Sequence, residues 1–67
     1  MMQIFVNGEA IQIEDGSSLA AVIAKLKLAP EHCATAINGQ FVARNERDMR
    51  LLFADDHIMT FEPITGG

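Results

Sequence analysis

The chain reads as an α+β domain in which a mixed sheet of four or five strands packs on one main helix. Three observations lead there. Two Asn-Gly dipeptides, Asn7-Gly8 and Asn38-Gly39, each stand between short alternating apolar runs, and Asn-Gly tolerates the positive φ angles of a two-residue hairpin turn. One apolar stripe of helical period lies between the two hairpins. A last alternating run, His57 to Glu62, follows them and is ended by Pro63.

Met2-Gln3-Ile4-Phe5-Val6 alternates around Met2, Ile4 and Val6 as a first strand, and Ala10 to Glu14 returns as the second, with Ile11 and Ile13 on one face. Asp15-Gly16-Ser17-Ser18 breaks the strand, and Ser18 is the expected N-cap, its hydroxyl accepting from an N–H that the helix start leaves unpaired. Leu19, Val22, Ile23 and Leu26 recur at i, i+3, i+4 and i+7, so they share one face of an amphipathic helix. Pro30 keeps that helix from running far past Leu28. Cys33 to Ile37 reads as a third strand and Phe41-Val42 as a short fourth. The polar run from Arg44 to Arg50 fits a surface turn or a short irregular helix serving as a solvated connection, and Ala54-Asp55-Asp56 reads as a turn.

At 67 residues there is room for one domain over 1–67, with a tail at 63–67, and for one core, so most of the 49% apolar residues must be structural. A net charge of −4 with only five basic residues argues against nucleic acid and for proteins with basic docking surfaces. No apolar run approaches the ~20 residues that span a bilayer, and the first residues lack the basic and apolar regions of a signal peptide. No membrane is expected, and the expected location is the cytoplasm. Cys33 is alone, which excludes an internal disulfide and a Cys-rich zinc site; its alternation with Thr35 and Ile37 makes it an inward, structural residue. His32 and His57 lack metal-ligand spacing, and the pairs Glu14-Asp15 and Asp55-Asp56 fall at turns where Asp bonds locally, so no metal site is expected. With no nucleophile–base pair or paired catalytic carboxylates, the chain is not expected to be an enzyme.

The chemically suggestive feature is the ending Ile64-Thr65-Gly66-Gly67. Four residues beyond Pro63 reach at most ~14 Å, far enough to enter a pocket of another protein. Two residues without Cβ let other backbones approach closely and leave the tip flexible enough to thread a narrow channel. A free α-carboxyl is ionised at pH 7, a competent nucleophile toward phosphorus but a very poor acyl electrophile, so it must be activated before sulfur can replace its oxygen.

The order strand, strand, helix, strand, short strand, strand is the β-grasp arrangement, and Met2 to Val6 together with Gly66-Gly67 resembles ubiquitin. The chain resembles still more the prokaryotic sulfur carriers of thiamine-thiazole synthesis, over its whole length. The resemblance rests on Val6-Asn7-Gly8-Glu9, on Asp15-Gly16-Ser17-Ser18-Leu19, and above all on Ala36-Ile37-Asn38-Gly39-Gln40-Phe41-Val42-Ala43-Arg44 placed ahead of an acidic turn, a strand and Gly-Gly. Two loop positions depart from the family pattern: Ala43, where many members carry Pro, and Asp55-Asp56, where Asp-Gly-Asp is usual.

The resemblance implies that Gly67 is adenylated, converted to a thiocarboxylate and presented to thiazole synthase. It implies three partners: an adenylyltransferase of the ubiquitin-activating kind, a cysteine desulfurase or other persulfide donor, and the synthase. ATP and Mg²⁺ would be bound by the activating partner, since the chain has no G-x-x-x-x-G-K-[ST] phosphate loop. Two alternatives use a similar fold. The small subunit of molybdopterin synthase carries the same thiocarboxylate, and a ubiquitin-like modifier or adaptor would leave Gly67 linked to lysine or act without chemistry.

Strand parity also offers a docking face. If Met2, Ile4, Val6, Ile58 and Thr60 point at the helix, then Phe5, Met59 and Phe61 stand on the open side of the sheet. Counted by apolar residues alone, the opposite register, with Met59 and Phe61 buried and Ile58 exposed, is equally acceptable. Resemblance to the ubiquitin sheet favours the first and assigns Phe5, Met59 and Phe61 to partner contact.

Overall fold

A computed structural model describes residues 1–62. The strands are β1 (Met2–Val6), β2 (Glu9–Ile13), β3 (Ala34–Ile37), β4 (Gln40–Val42) and β5 (His57–Phe61), with one helix, α1 (Leu19–Lys25), and two short 3₁₀ turns, Pro30–His32 and Arg44–Glu46. The sheet order is β2-β1-β5-β3-β4. The neighbours β1 and β5 run parallel, and the other pairs are antiparallel. This is a mixed sheet on one helix, as the sequence predicts, with five strands.

Both hairpins turn through consecutive positive φ angles, 52° and 88° at Asn7-Gly8 and 51° and 84° at Asn38-Gly39, the two-residue geometry that matches strand twist. The helix begins as expected, with the Ala21 N–H donating to Ser18 Oγ at 3.1 Å. It ends earlier than Pro30 requires. Lys27 adopts φ 59°, its N–H donates to the Ala24 carbonyl at 3.0 Å, and the Leu28 N–H donates to the Ile23 carbonyl at 3.1 Å. That paired closure satisfies carbonyls the last turn would otherwise leave open, so a Schellman motif stops the helix, with Lys where Gly is usual.

The helix buries Leu19, Val22 and Ile23 and half-buries Leu26, the stripe its periodicity predicts. Opposite it lie Ile4, Val6, Ile13, Ile37, Val42 and Ile58, from all five strands. Each such side chain removed from water contributes about 1.5–3 kcal/mol. Ile58 is 1% exposed against 47% for Met59 and 52% for Phe61, which selects the first of the two registers.

One expectation is corrected. The run from Arg44 to Arg50 is not merely a solvated connection, because Arg47 within it is 3% exposed. Its Nε donates to Thr35 Oγ1 at 3.1 Å, and its Nη2 donates to the Cys33 carbonyl. Main-chain carbonyls of the same segment accept from the helix start: Leu19 N–H to Arg50 at 2.9 Å and Ala20 N–H to Arg47 at 3.2 Å. The segment therefore serves N–H groups that a helix cannot satisfy internally.

The two departures from the family pattern preserve geometry. Ala43, at φ −66° and ψ 150°, has the angles a proline would impose. Asp55 takes φ 68°, a conformation in which glycine is unstrained and Asp is tolerated.

Candidate functional site

Pairing register decides which side chains share the face turned away from the helix. Ala10, Phe5 and His57 form one row across β2, β1 and β5; Met59, Ala36 and Phe41 form the next across β5, β3 and β4; Phe61 and Ala34 form a third. Each large apolar residue faces an alanine in one neighbouring strand, which leaves Met59, Phe61 and Phe41 exposed. Phe41 is 72% exposed, more than Met59 or Phe61. Phe5 is half-buried because its ring stacks on His57, with centroids 4.7 Å apart and planes 15° from parallel.

The result is a contiguous apolar face on the open side of the sheet. It brings together Phe5, Met59 and Phe61, the three residues that parity singles out, and adds two that the sequence reading left aside. Phe41 alternates with the core residue Val42, which is the sequence signal that it points outward. His57 joins through the parallel pairing of β1 with β5, a contact between segments 52 residues apart in sequence (57 − 5).

β5 carries Phe61 on this face and leads directly to the tail. Ile64, Thr65, Gly66 and Gly67 lie outside the described residues. At the exit of β5, Asn7 binds Thr60 twice: Nδ2 donates to Thr60 Oγ1 at 2.9 Å, and Oδ1 accepts the Thr60 N–H at 3.0 Å.

Asp56 and Cys33 have structural roles. Asp56 Oδ2 accepts the Phe53 N–H at 2.9 Å and its Oδ1 accepts from Asn38 Nδ2 at 3.1 Å, the local bonding expected of an acidic residue in a turn. Cys33 lies just before β3 and is buried, which fits an inward structural residue. Among the described residues no three His, Cys, Asp or Glu side chains gather as a metal site, and no helix is long and apolar enough to cross a membrane.

Comparison with known proteins adds to this geometry. Residues 3–67 match the ThiS family. The sulfur carrier protein ThiS of Escherichia coli (strain K12) is 32% identical over 66 residues, covering 98% of this chain and all of that protein. A crystal structure of the thiamine biosynthesis protein ThiS from Geobacter metallireducens superposes with a TM-score of 0.85 at 22% identity, covering 98% of this chain and 100% of that one. A solution NMR structure of a thiamine biosynthesis protein from the same organism gives a TM-score of 0.79 at 22% identity, covering 98% of this chain and 88% of that one. At that identity the two structures bear on the β-grasp fold alone.

Proposed function

Since the chain belongs to the ThiS family, and so is a sulfur carrier, we propose that the carboxylate of Gly67 is the group on which sulfur travels, for the thiazole of thiamine. The observation that carries this reading is the direct run of β5 from the open apolar face into a segment ending in Gly66-Gly67, within a family match that extends to residue 67. A rigid sheet presents the face, and two residues without Cβ can follow a narrow channel into a partner's active site.

The chemistry follows from the unreactivity of a carboxylate. An oxygen of Gly67 attacks the α-phosphorus of ATP, pyrophosphate leaves, and the acyl-adenylate that forms has AMP as a good leaving group. Sulfide sulfur then attacks the carbonyl carbon and expels AMP, leaving the thiocarboxylate. Where the donor is a persulfide, the first product is an acyl disulfide, and a second thiol must cleave it reductively. ATP and Mg²⁺ belong to the activating partner in this scheme.

The partners are an adenylyltransferase, a cysteine desulfurase or other persulfide donor, and thiazole synthase. Phe5, Met59 and Phe61, joined by Phe41, supply the docking contact. Exposed apolar patches of this kind commonly mark interaction sites, and aromatic residues dominate binding energy when a partner covers them. The carrier itself performs no catalysis; it is a protein cosubstrate.

Coexpression with the three partners followed by intact-mass measurement tests the reading. The expected species is heavier by the difference between one sulfur and one oxygen, with the added mass on the C-terminal peptide. Finding carboxylate alone, or Gly67 joined to lysine of another protein, would overturn it.

A further inference from the structure

Regular parallel pairing alternates: a residue donates its N–H to the neighbouring strand, and its carbonyl accepts from the residue two positions further along that strand. Between β1 and β5 the donors run Phe5 N–H to the Asp56 carbonyl at 2.9 Å, then Asn7 N–H to the Ile58 carbonyl at 2.8 Å. The next acceptor in the series is the main-chain carbonyl of Asn7, and its donor is the Thr60 N–H. At φ 52° Asn7 has already entered the turn toward β2. The Thr60 N–H donates to Asn7 Oδ1 instead, and the same carboxamide grips the Thr60 hydroxyl through Nδ2. A side chain thus supplies the rung that the departing strand cannot.

The other Asn-Gly turn does the same at the opposite end of β5. Asn38 N–H donates to the His57 carbonyl at 2.8 Å, and the His57 N–H, which an antiparallel pair would return to a main-chain carbonyl, donates to Asn38 Oδ1 at 3.0 Å. Asn38 anchors the start of β5 and Asn7 its exit. The two ends differ in consequence. His57 leads into a strand flanked on both sides, whereas Thr60 lies beyond the last residue of β1, so its other ladder partner is Thr35 of β3.

We propose that Asn7 is a positioning residue for sulfur transfer: its carboxamide holds the exit of β5 in register, so that the segment bearing Gly67 starts from a fixed point beside the open apolar face. This rests on the reading of Gly67 as the sulfur-bearing group. A strand exit held on one side only spends part of its time frayed, and a partner that engages only the ordered form sees its apparent affinity lowered by the fraction lost. The signature is a raised KM for the carrier with kcat unchanged, because a carrier once docked is ordered by its partner.

The test compares three variants of the full chain. Asn7→Gly keeps the positive φ of the turn and removes only the carboxamide. Asn7→Asp keeps an acceptor for the Thr60 N–H, and the Thr60 hydroxyl can donate to the carboxylate. Ser18→Ala removes the helix cap on the other layer and lowers global stability without touching β5. Amide exchange at Thr60 is measured on the isolated carrier, and sulfur loading by the activating enzyme, with ATP and sulfide as donor, is followed by intact mass as carrier concentration is varied.

Asn7→Gly is expected to speed Thr60 exchange about fivefold to a hundredfold, the range for two lost hydrogen bonds, and to raise KM by the factor by which the ordered fraction falls, at most that same factor. Asn7→Asp recovers most of both, and Ser18→Ala changes neither. Loading of Asn7→Gly with the KM of wild type, or a KM raised equally in Ser18→Ala, overturns the positioning role alone. Wild type that takes up no sulfur overturns the Gly67 chemistry and the role of Asn7 with it.

Discussion

Replacing Arg47 with Ala is expected to cost this domain about 3 kcal/mol, and the structure supplies the reasons. Arg47 is 3% exposed, and its guanidinium donates to Thr35 Oγ1 and to the Cys33 carbonyl. Hydrogen bonds from a charged donor contribute about 1.5–3 kcal/mol each, and leaving the buried Cys33 carbonyl without this donor falls within the same range. Against these losses stands the relief of no longer burying a charge, which offsets part of them. The hydroxyl of Thr35 keeps its bond to the Val42 carbonyl at 3.0 Å, so β3 and β4 stay joined. A 67-residue chain has a total stability of about 3–10 kcal/mol at 0.05–0.15 kcal/mol per residue, so the loss is a large share. Urea unfolding read by circular dichroism measures it: with a slope near 1 kcal/mol per molar, the midpoint should fall by about 3 M. Arg44→Ala, in the same polar run but exposed, should shift stability by no more than about 0.5 kcal/mol. Arg47→Lys should recover little, because an ammonium cannot reproduce the fork that reaches both oxygens. Equal losses at Arg44 and Arg47, or a loss under about 1 kcal/mol at Arg47, would refute the argument that a buried guanidinium ties this loop to the sheet.

Three further outcomes follow from the geometry. Phe41→Ala and Phe61→Ala should leave thermal unfolding nearly unchanged, both side chains being more than half exposed, yet weaken binding to the activating enzyme at least tenfold by calorimetry; unchanged affinity in both would remove the open face as the docking surface. Lys27→Gly should stabilise by about 0.5–1 kcal/mol, since glycine adopts φ 59° without the Cβ penalty, and a lowered melting temperature would contradict the Schellman account of the helix end. Deleting Gly67 should leave the unfolding curve of the domain in place and abolish sulfur loading; loading at normal rates after that deletion would end the terminal-carboxylate reading.

Local chemistry made several elements legible before any coordinates. The Asn-Gly pairs are read within four residues of chain, Ser18 caps the helix it precedes, and the Leu19-Val22-Ile23 stripe faces inward because helical period leaves no other choice. The same locality explains the misreading of residues 44–50. Charge runs are normally solvated, and nothing adjacent in the chain announces that Arg47 finds its acceptors on β3 and at the residue before it, 12 and 14 residues away. Phe41 is legible by parity with Val42, whereas the turn beside it signals only the hairpin.

By itself the sequence determined the element order, the fold class and the terminal group on which sulfur chemistry is proposed, because turn residues, periodicity and an unhindered Gly-Gly end act over a few bonds. Tertiary structure alone decided which face of β5 is buried, that His57 stacks on Phe5, and that the carboxamide of Asn7 completes a ladder 53 residues downstream. The physical reason is that alternation in a strand has two solutions, and apolar count does not pick the right one here, since the buried face of β5 carries Ile58 and the exposed face carries Met59 and Phe61. Only the pairing of β5 with β1 and β3, strands distant in the chain, makes one of them the core.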